Sequence, residues 1–282
     1  MDDRYAITYL IGQHHEWWVD RFYTPFMESL YETGLYDKLD FIDISVAGGS
    51  EPLPFVPDKV RHVSYRRQSP IEMNEQLMDL HDFCSENSGY KVLWFHSDGV
   101  THYGKETEIY KLSNHDFLKW GLIEQWEIMT QFLDFYDCVG LNWTQIAQFH
   151  DPSGEIGEFK NSFYAPHYRS GFWWANSDYI ASLNKNFLKR NVFWNRFLGE
   201  VWIGTGKPRH YSLHNIYSEN GDPWLASFYT ELSKYDPEHI LQHANKHLQD
   251  LIHLDINQTI KNKPMLLNHK CQFDNNKFEK WL

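Results

Sequence analysis

Short β-prone apolar runs alternating with segments of helical period constrain this chain most. Ala6 to Gly12, "AITYLIG", Leu39 to Val46, "LDFIDISV", and Tyr90 to Phe95, "YKVLWF", each read as a strand, as does "YDCVGLNW" from Tyr136. Lys59 to Tyr65 supplies a further candidate. Between these runs, Trp18, Phe22, Phe26, Leu30 and Leu35 recur at helical spacing, and so do Met73, Leu77, Leu80 and Phe83. Pro25 kinks the first helix or marks its start, and Gly34 fits its C-terminus. Pro70 opens the second helix, and Asn114 caps a third that carries Phe117, Trp120, Ile123 and Phe132. Strands and helices in this alternation predict an α/β fold with a mainly parallel central sheet. Two polar stretches, Thr101 to Ser113 and Gln145 to Pro166, read as surface loops. After "SGFWWANSDYIASL" and "WNRFLGEVWIGTG" the chain turns helical, with Pro223 to Asp236 and Pro237 to Asp255 as helices. The expected division is a main domain over residues 1–222 and a helical C-terminal extension over 223–282 packed on it.

Charge and composition narrow the partners. A formal net charge of -12 over 282 residues opposes binding led by a phosphate backbone, which needs clustered Lys and Arg. No segment approaches the roughly 20 continuous apolar residues of a membrane helix, and the acidic start "MDDRYAITYLIGQHH" does not resemble a secretory signal. Cys84, Cys138 and Cys271 are far apart with no paired spacing, which argues against a disulfide framework or a cysteine metal knuckle. These features make a cytoplasmic protein with no membrane span the expectation. Aromatic residues make up 17% of the chain, a supply of flat amphipathic side chains suited to sugar rings and bases as well as to cores.

In open α/β sheets, ligands bind outside the carboxyl ends of the strands, where strand order reverses. Two expected strands end in polar sets there. "AITYLIG" leads through Ile11 and Gly12 into Gln13, and "KVLWF" leads into His96, Ser97, Asp98 and Gly99. Strand alternation puts His96 and Asp98 on one side, able to converge on one cation or one diphosphate. The plainer alternative is a turn in which Ser97 and Asp98 bond to the local backbone.

"LWFHSDGVTH", then "HYRSGFWWANSDYI", then "EVWIG" resembles a set of glycosyltransferase-like proteins from bacterial polysaccharide loci and large viruses. Their signatures read roughly Tyr-Leu-His-Thr-Lys-Gly-Val, His-Phe-Ser-Gly-Asn-Phe-Trp-Trp-Ala and Glu-x-Trp-Ile. The match in order and spacing runs from about Ala6 to Gly204, and its most specific part is Phe172 to Ala175 with Glu200 to Gly204 downstream. The resemblance implies a GT-A-like, Rossmann-type transferase that takes a sugar from a nucleotide-diphosphate donor. In that class an acidic signature after a central strand holds a divalent metal, Mn or Mg, on the donor diphosphate. Here His96-Ser97-Asp98 stands at that place, and Asp98 replaces a lysine frequent in the relatives. A second departure is Arg169-Ser170-Gly171, which does not match the family's Ser-Gly-Asn position by position.

On this resemblance, Ile11, Gly12 and Gln13 border the base or ribose, and His96, Ser97, Asp98 and Gly99 hold the diphosphate. His96, Asp98 and His214 are the metal ligands it suggests. His167, Ser170, Gly171 and Trp202 shape the sugar and acceptor site, where one of Trp173 and Trp174 stacks on a sugar while the other packs in the core. Glu200 is the expected base for the acceptor hydroxyl, with Asp178 in reserve. The partners are then a nucleotide-sugar and a glycan. Two alternatives stay open: a viral-type transferase acting on DNA bases, for which Arg66, Arg67, Lys185, Lys189 and Arg190 would supply the basic groove, and an inactive glycan-binding protein on the same fold. His239, His243 and His247 recur every fourth residue but sit beside Ile240, Ala244 and Leu248, as the flank of a packing helix.

Overall fold

The computed structural model describes residues 3–13, 17–66, 72–97, 108–148, 162–189, 198–214 and 236–261. Within them seven strands form one sheet: β1 (Arg4–Gly12), β2 (Leu39–Ala47), β3 (Val60–Arg66), β4 (Tyr90–His96), β5 (Cys138–Gly140), β8 (Trp173–Asn176) and β9 (His210–Ser212). Their order across the sheet is β3-β2-β1-β4-β8-β5-β9. β1 pairs in parallel with both β2 and β4, and β2 in parallel with β3. β8 lies antiparallel between β4 and β5, while β9 runs parallel to β5. The fold is thus α/β around a mostly parallel, mixed sheet. β6 (Trp143–Gln148) and β7 (Ser162–Tyr168) form a separate antiparallel pair.

Helices cover both faces, as strands buried on both sides require. On one face lie α1 (Thr24–Glu32), α4 (Glu108–Lys119), α5 (Trp126–Phe132) and α8 (Pro237–Lys261), closing over Ile7, Tyr9, Ile42, Ile44, Leu93 and Phe95. The short α2 (Leu35–Lys38) follows α1 through Gly34, whose φ of 71° suits a residue without a Cβ. On the other face α3 (Glu72–Glu86), α6 (Ser177–Ser182) and α7 (Leu198–Trp202) pack on Ala6, Leu10, Val92 and Trp94. Ile240, Ala244, Leu248 and Leu251 of α8 belong to the first of these cores, so that helix packs on the sheet domain. His247 accepts a hydrogen bond at 2.9 Å from, or donates it to, the Tyr136 hydroxyl and stacks on Tyr211, which accounts for its place in the histidine run.

Several boundaries shift from the sequence expectation. Pro25 falls in the first turn of α1, after a π-helical turn over Val19–Tyr23, so it starts the helix rather than kinking it. α4 begins at Glu108, which places Asn114 inside the helix and makes it no N-cap; only 101–107 of that expected loop stays outside the described residues. The flanks of the second expected loop are paired in β6 and β7, leaving 149–161 outside. The expected helix from Pro223 also lies outside the described residues, apart from Asp236, and α8 extends past Asp255 to Lys261.

Candidate active site

Strand order reverses between β1 and β4, and the crevice expected at that point lies at their carboxyl ends. Those ends are stitched together. The Gly12 amide donates to the Ser97 hydroxyl oxygen at 2.8 Å, and the Ser97 amide donates to the Leu10 carbonyl at 2.9 Å. Beside them the His96 ring lies stacked on Phe172 with centroids 4.0 Å apart, and its Nε2 is 2.6 Å from the Ser170 carbonyl oxygen. A carbonyl can only accept, so Nε2 carries the proton and any bond from His96 to a cation would come from Nδ1.

Ser170 and Gly171 form a corner between β7 and β8 in which both residues are left-handed, with φ of 64° and 74°. For serine that conformation is uncommon and strained; for glycine it is free. The corner is held by the His96 contact, by the Arg169 amide donating to the Asn142 carbonyl at 3.1 Å, and by the Asn114 amide 3.4 Å from the Ser170 hydroxyl. Glu200 meets it from α7: a Cβ added to Gly171 would lie 3.3 Å from both Cα and Cγ of Glu200. Glu200 is half-buried. Six expected site residues, Gly12, His96, Ser97, Ser170, Gly171 and Glu200, therefore converge at the carboxyl ends of β1 and β4. Asp98 and Gly99, the remainder of the expected diphosphate set, lie outside the described residues.

Sequence reasoning missed Asn114 and His115. Both are buried on α4, with His115 edge-on to Phe22 and Phe95. A polar pair inside an otherwise apolar helical stripe was the available signal, but the misplaced helix start hid it.

Other expected residues are placed differently. Asp178 is exposed in the first turn of α6, at the opposite edge of the sheet from His96. β8 runs antiparallel to β4, and the Tyr90 amide donates to Ser177 at 3.0 Å. The six-residue span from Tyr90 to His96 puts Asp178 about 20 Å from the corner, at about 3.3 Å per residue. It is not a second base for this site.

Trp173 and Trp174 are both fully buried, one in each core layer, because adjacent residues on a strand covered on both faces point into opposite layers. Trp202 is equally buried, its indole N–H donating to the Asn184 carbonyl at 3.2 Å. None of the three offers a ring face to a sugar. Ile11 likewise points into the core. Gln13 donates through Nε2 to the Glu51 carbonyl and accepts from the Glu51 amide, so its amide secures the loop after β2 instead of a base. His167 is buried on β7. Its neighbour Pro166 presents a carbonyl oxygen that a Cβ on Gly204 would overlap, so that glycine lets the end of α7 approach β7.

His214 is half-buried and edge-on to Phe117, and burial, helped by the facing charge of His239, lowers its pKa from 6.5. The Asn142 amide donates to the His214 carbonyl, which brings this strand end toward the corner. Among the described residues no three His, Cys, Asp or Glu side chains converge as metal ligands. Of the three expected ligands, His96 could reach a cation only through Nδ1, its Nε2 being bonded to Ser170, and Asp98 lies outside the described residues. Of the basic candidates for a nucleic-acid groove, Arg66 pairs with Glu75 and Asp79 and Lys185 with Asp82, while Lys189 is exposed at the end of its 3-10 turn. Arg67 and Arg190 lie outside the described residues. No helix of the described residues is long and apolar enough to cross a membrane. Compared with known families and with curated proteins, the chain matches no family model and no curated protein.

Proposed function

We propose that this chain is a glycosyltransferase that moves a sugar from a nucleotide-diphosphate donor to a hydroxyl of a glycan acceptor, on a GT-A-like fold. The observation that carries the reading is the convergence of His96, Ser97, the Ser170–Gly171 corner and Glu200 where strand order reverses. These are residues of the three sequence segments that resemble the transferases, far apart in the chain and adjacent in space.

In this reading the donor diphosphate lies across the ends of β1 and β4, near the Ser97 hydroxyl. The Glu200 carboxylate takes the proton of the acceptor hydroxyl as that oxygen bonds to the anomeric carbon, and the bond from that carbon to the diphosphate breaks. His96 holds the corner through its Nε2 proton. Glycine at 171 leaves room for the carboxylate to sit close to it. A divalent cation on the diphosphate would depend on Asp98, and no step here is routed through it.

Thermal-shift screening against UDP-, GDP- and CMP-sugars, with and without manganese, tests the donor half, because a ligand of the native state raises apparent stability. At least one donor is expected to raise the melting temperature. Glu200→Gln should keep that shift and lower transfer by about 100- to 10,000-fold, the worth of a positioned base. A flat response to every donor sinks the proposal. Donor binding with no turnover by the wild-type chain would favour the inactive glycan-binding protein.

A further inference from the structure

A cavity of about 380 Å³ lies between α3 and the middle of β1, β2 and β3. Thr8, at its wall, is four residues before the end of β1, which puts the cavity about 13 Å from the Gly12–Ser97 edge at about 3.3 Å per residue. α3 packs on this face of the sheet with Leu77, Leu80 and Cys84 over an apolar neighbourhood. Over β2 and β3, however, the same face is polar: Asp43 pairs in register with Thr8 and His62, and Ser45 with Ser64. A helix laid over such a row leaves space that side chains do not fill.

The walls of that space describe its ligand. Thr8, Ser45 and Gln76 are at most 5% exposed, and the Gln76 Oε1 has no hydrogen-bond partner among the described residues although its Nε2 donates to the Tyr9 carbonyl at 3.3 Å. A buried amide oxygen without a donor is costly and marks a place for one. Arg61 is paired with Asp43, and Arg66 is shared between Asp79 and Glu75, so neither arginine is left over to hold an anionic ligand. Leu80 and Phe83 close one side with apolar surface. The volume falls at the small end of the roughly 300–1,000 Å³ range of small-molecule sites. Hydroxyls, an amide and paired charges on one side and carbon on the other match a molecule that donates and accepts around its rim and shows C–H groups on its face.

We infer that this cavity binds a neutral cyclic polyol of monosaccharide size, at a site separate from the strand-end crevice. The inference does not rest on the transferase reading. Isothermal titration with D-glucose, D-galactose, D-mannose and myo-inositol tests it directly. At least one should bind saturably with one-to-one stoichiometry. Ser64→Trp, on the half-exposed edge strand, fills the cavity and should abolish that binding. Thr8→Val keeps the side-chain shape, removes one hydroxyl and should weaken binding about threefold to tenfold, the usual worth of one hydrogen bond. Far-UV circular dichroism and the response to nucleotide-sugars should be unchanged in both variants. The inference is overturned if none of the four probes binds, if binding survives Ser64→Trp, or if inorganic phosphate binds there in their place. A flat donor screen alongside polyol binding that Ser64→Trp removes would sink the transferase and leave this site standing.

Discussion

Gly34 and Gly171 make a matched pair for testing how closely Glu200 is pressed onto the corner that holds His96. Their φ values are 71° and 74°, so alanine at either position pays a similar left-handed penalty of about 1–2 kcal/mol. Their surroundings differ. A Cβ at position 34 meets nothing within 4 Å, whereas at 171 it lies 3.3 Å from Glu200 Cα and Cγ. Carbon atoms prefer separations of about 3.5–4.0 Å. Since one of the two contacts is to backbone, α7 or the corner has to yield by a few tenths of an ångström, and overpacking of this kind costs about 1–3 kcal/mol. Gly34→Ala should therefore lose about 1–2 kcal/mol and Gly171→Ala about 2–5 kcal/mol in urea unfolding at 25 °C, with unchanged denaturant slopes. The excess of Gly171→Ala over Gly34→Ala measures the contact with Glu200. If the two variants fall within about 0.5 kcal/mol of each other, Glu200 is not held against the corner, and the geometric basis of its assignment as base is wrong.

Trp173 and Trp174 give a second test. The Trp174 indole N–H donates to the buried Leu122 carbonyl at 2.7 Å, while the Trp173 N–H has no partner among the described residues. Trp174→Phe should exceed Trp173→Phe in cost by about 1–3 kcal/mol, because only the former strands a carbonyl; equal costs in denaturant titration would contradict the bonding described. His214, with its pKa lowered from 6.5 by burial, favours its neutral form in the folded state. Its contribution is fully present above about pH 6.5 and is lost as pH falls through the lowered folded value. Unfolding measured from pH 7.5 down to 5 should then show a smaller loss of stability for His214→Gln than for the wild type, and parallel curves would refute it.

How much of this was legible beforehand depends on how local each feature is. β1, β2, β3 and β4 and the helices α1 and α3 follow from hydrophobic period, a property of adjacent residues, and so does the placement of Gly12, His96 and Ser97 at strand ends. Segment matching also brought Glu200 and the Ser170–Gly171 corner to the same site. The polar alternation of β2, with Asp43 and Ser45 set among Ile42, Ile44 and Val46, resembles a strand with one face in water; its cover by α3 is a contact that no local pattern encodes.

The sequence by itself determined the α/β class, the element types along most of the described chain and which residues end the first and fourth strands, because these depend on side chains a few positions apart. Only the tertiary structure decided that β8 enters the sheet antiparallel between β4 and β5. That direction carries Asp178 to the far edge and buries Trp173 and Trp174 in opposite layers. Strand order and direction are set by pairings between residues distant in the chain, chosen by which packing buries both faces of the sheet at once.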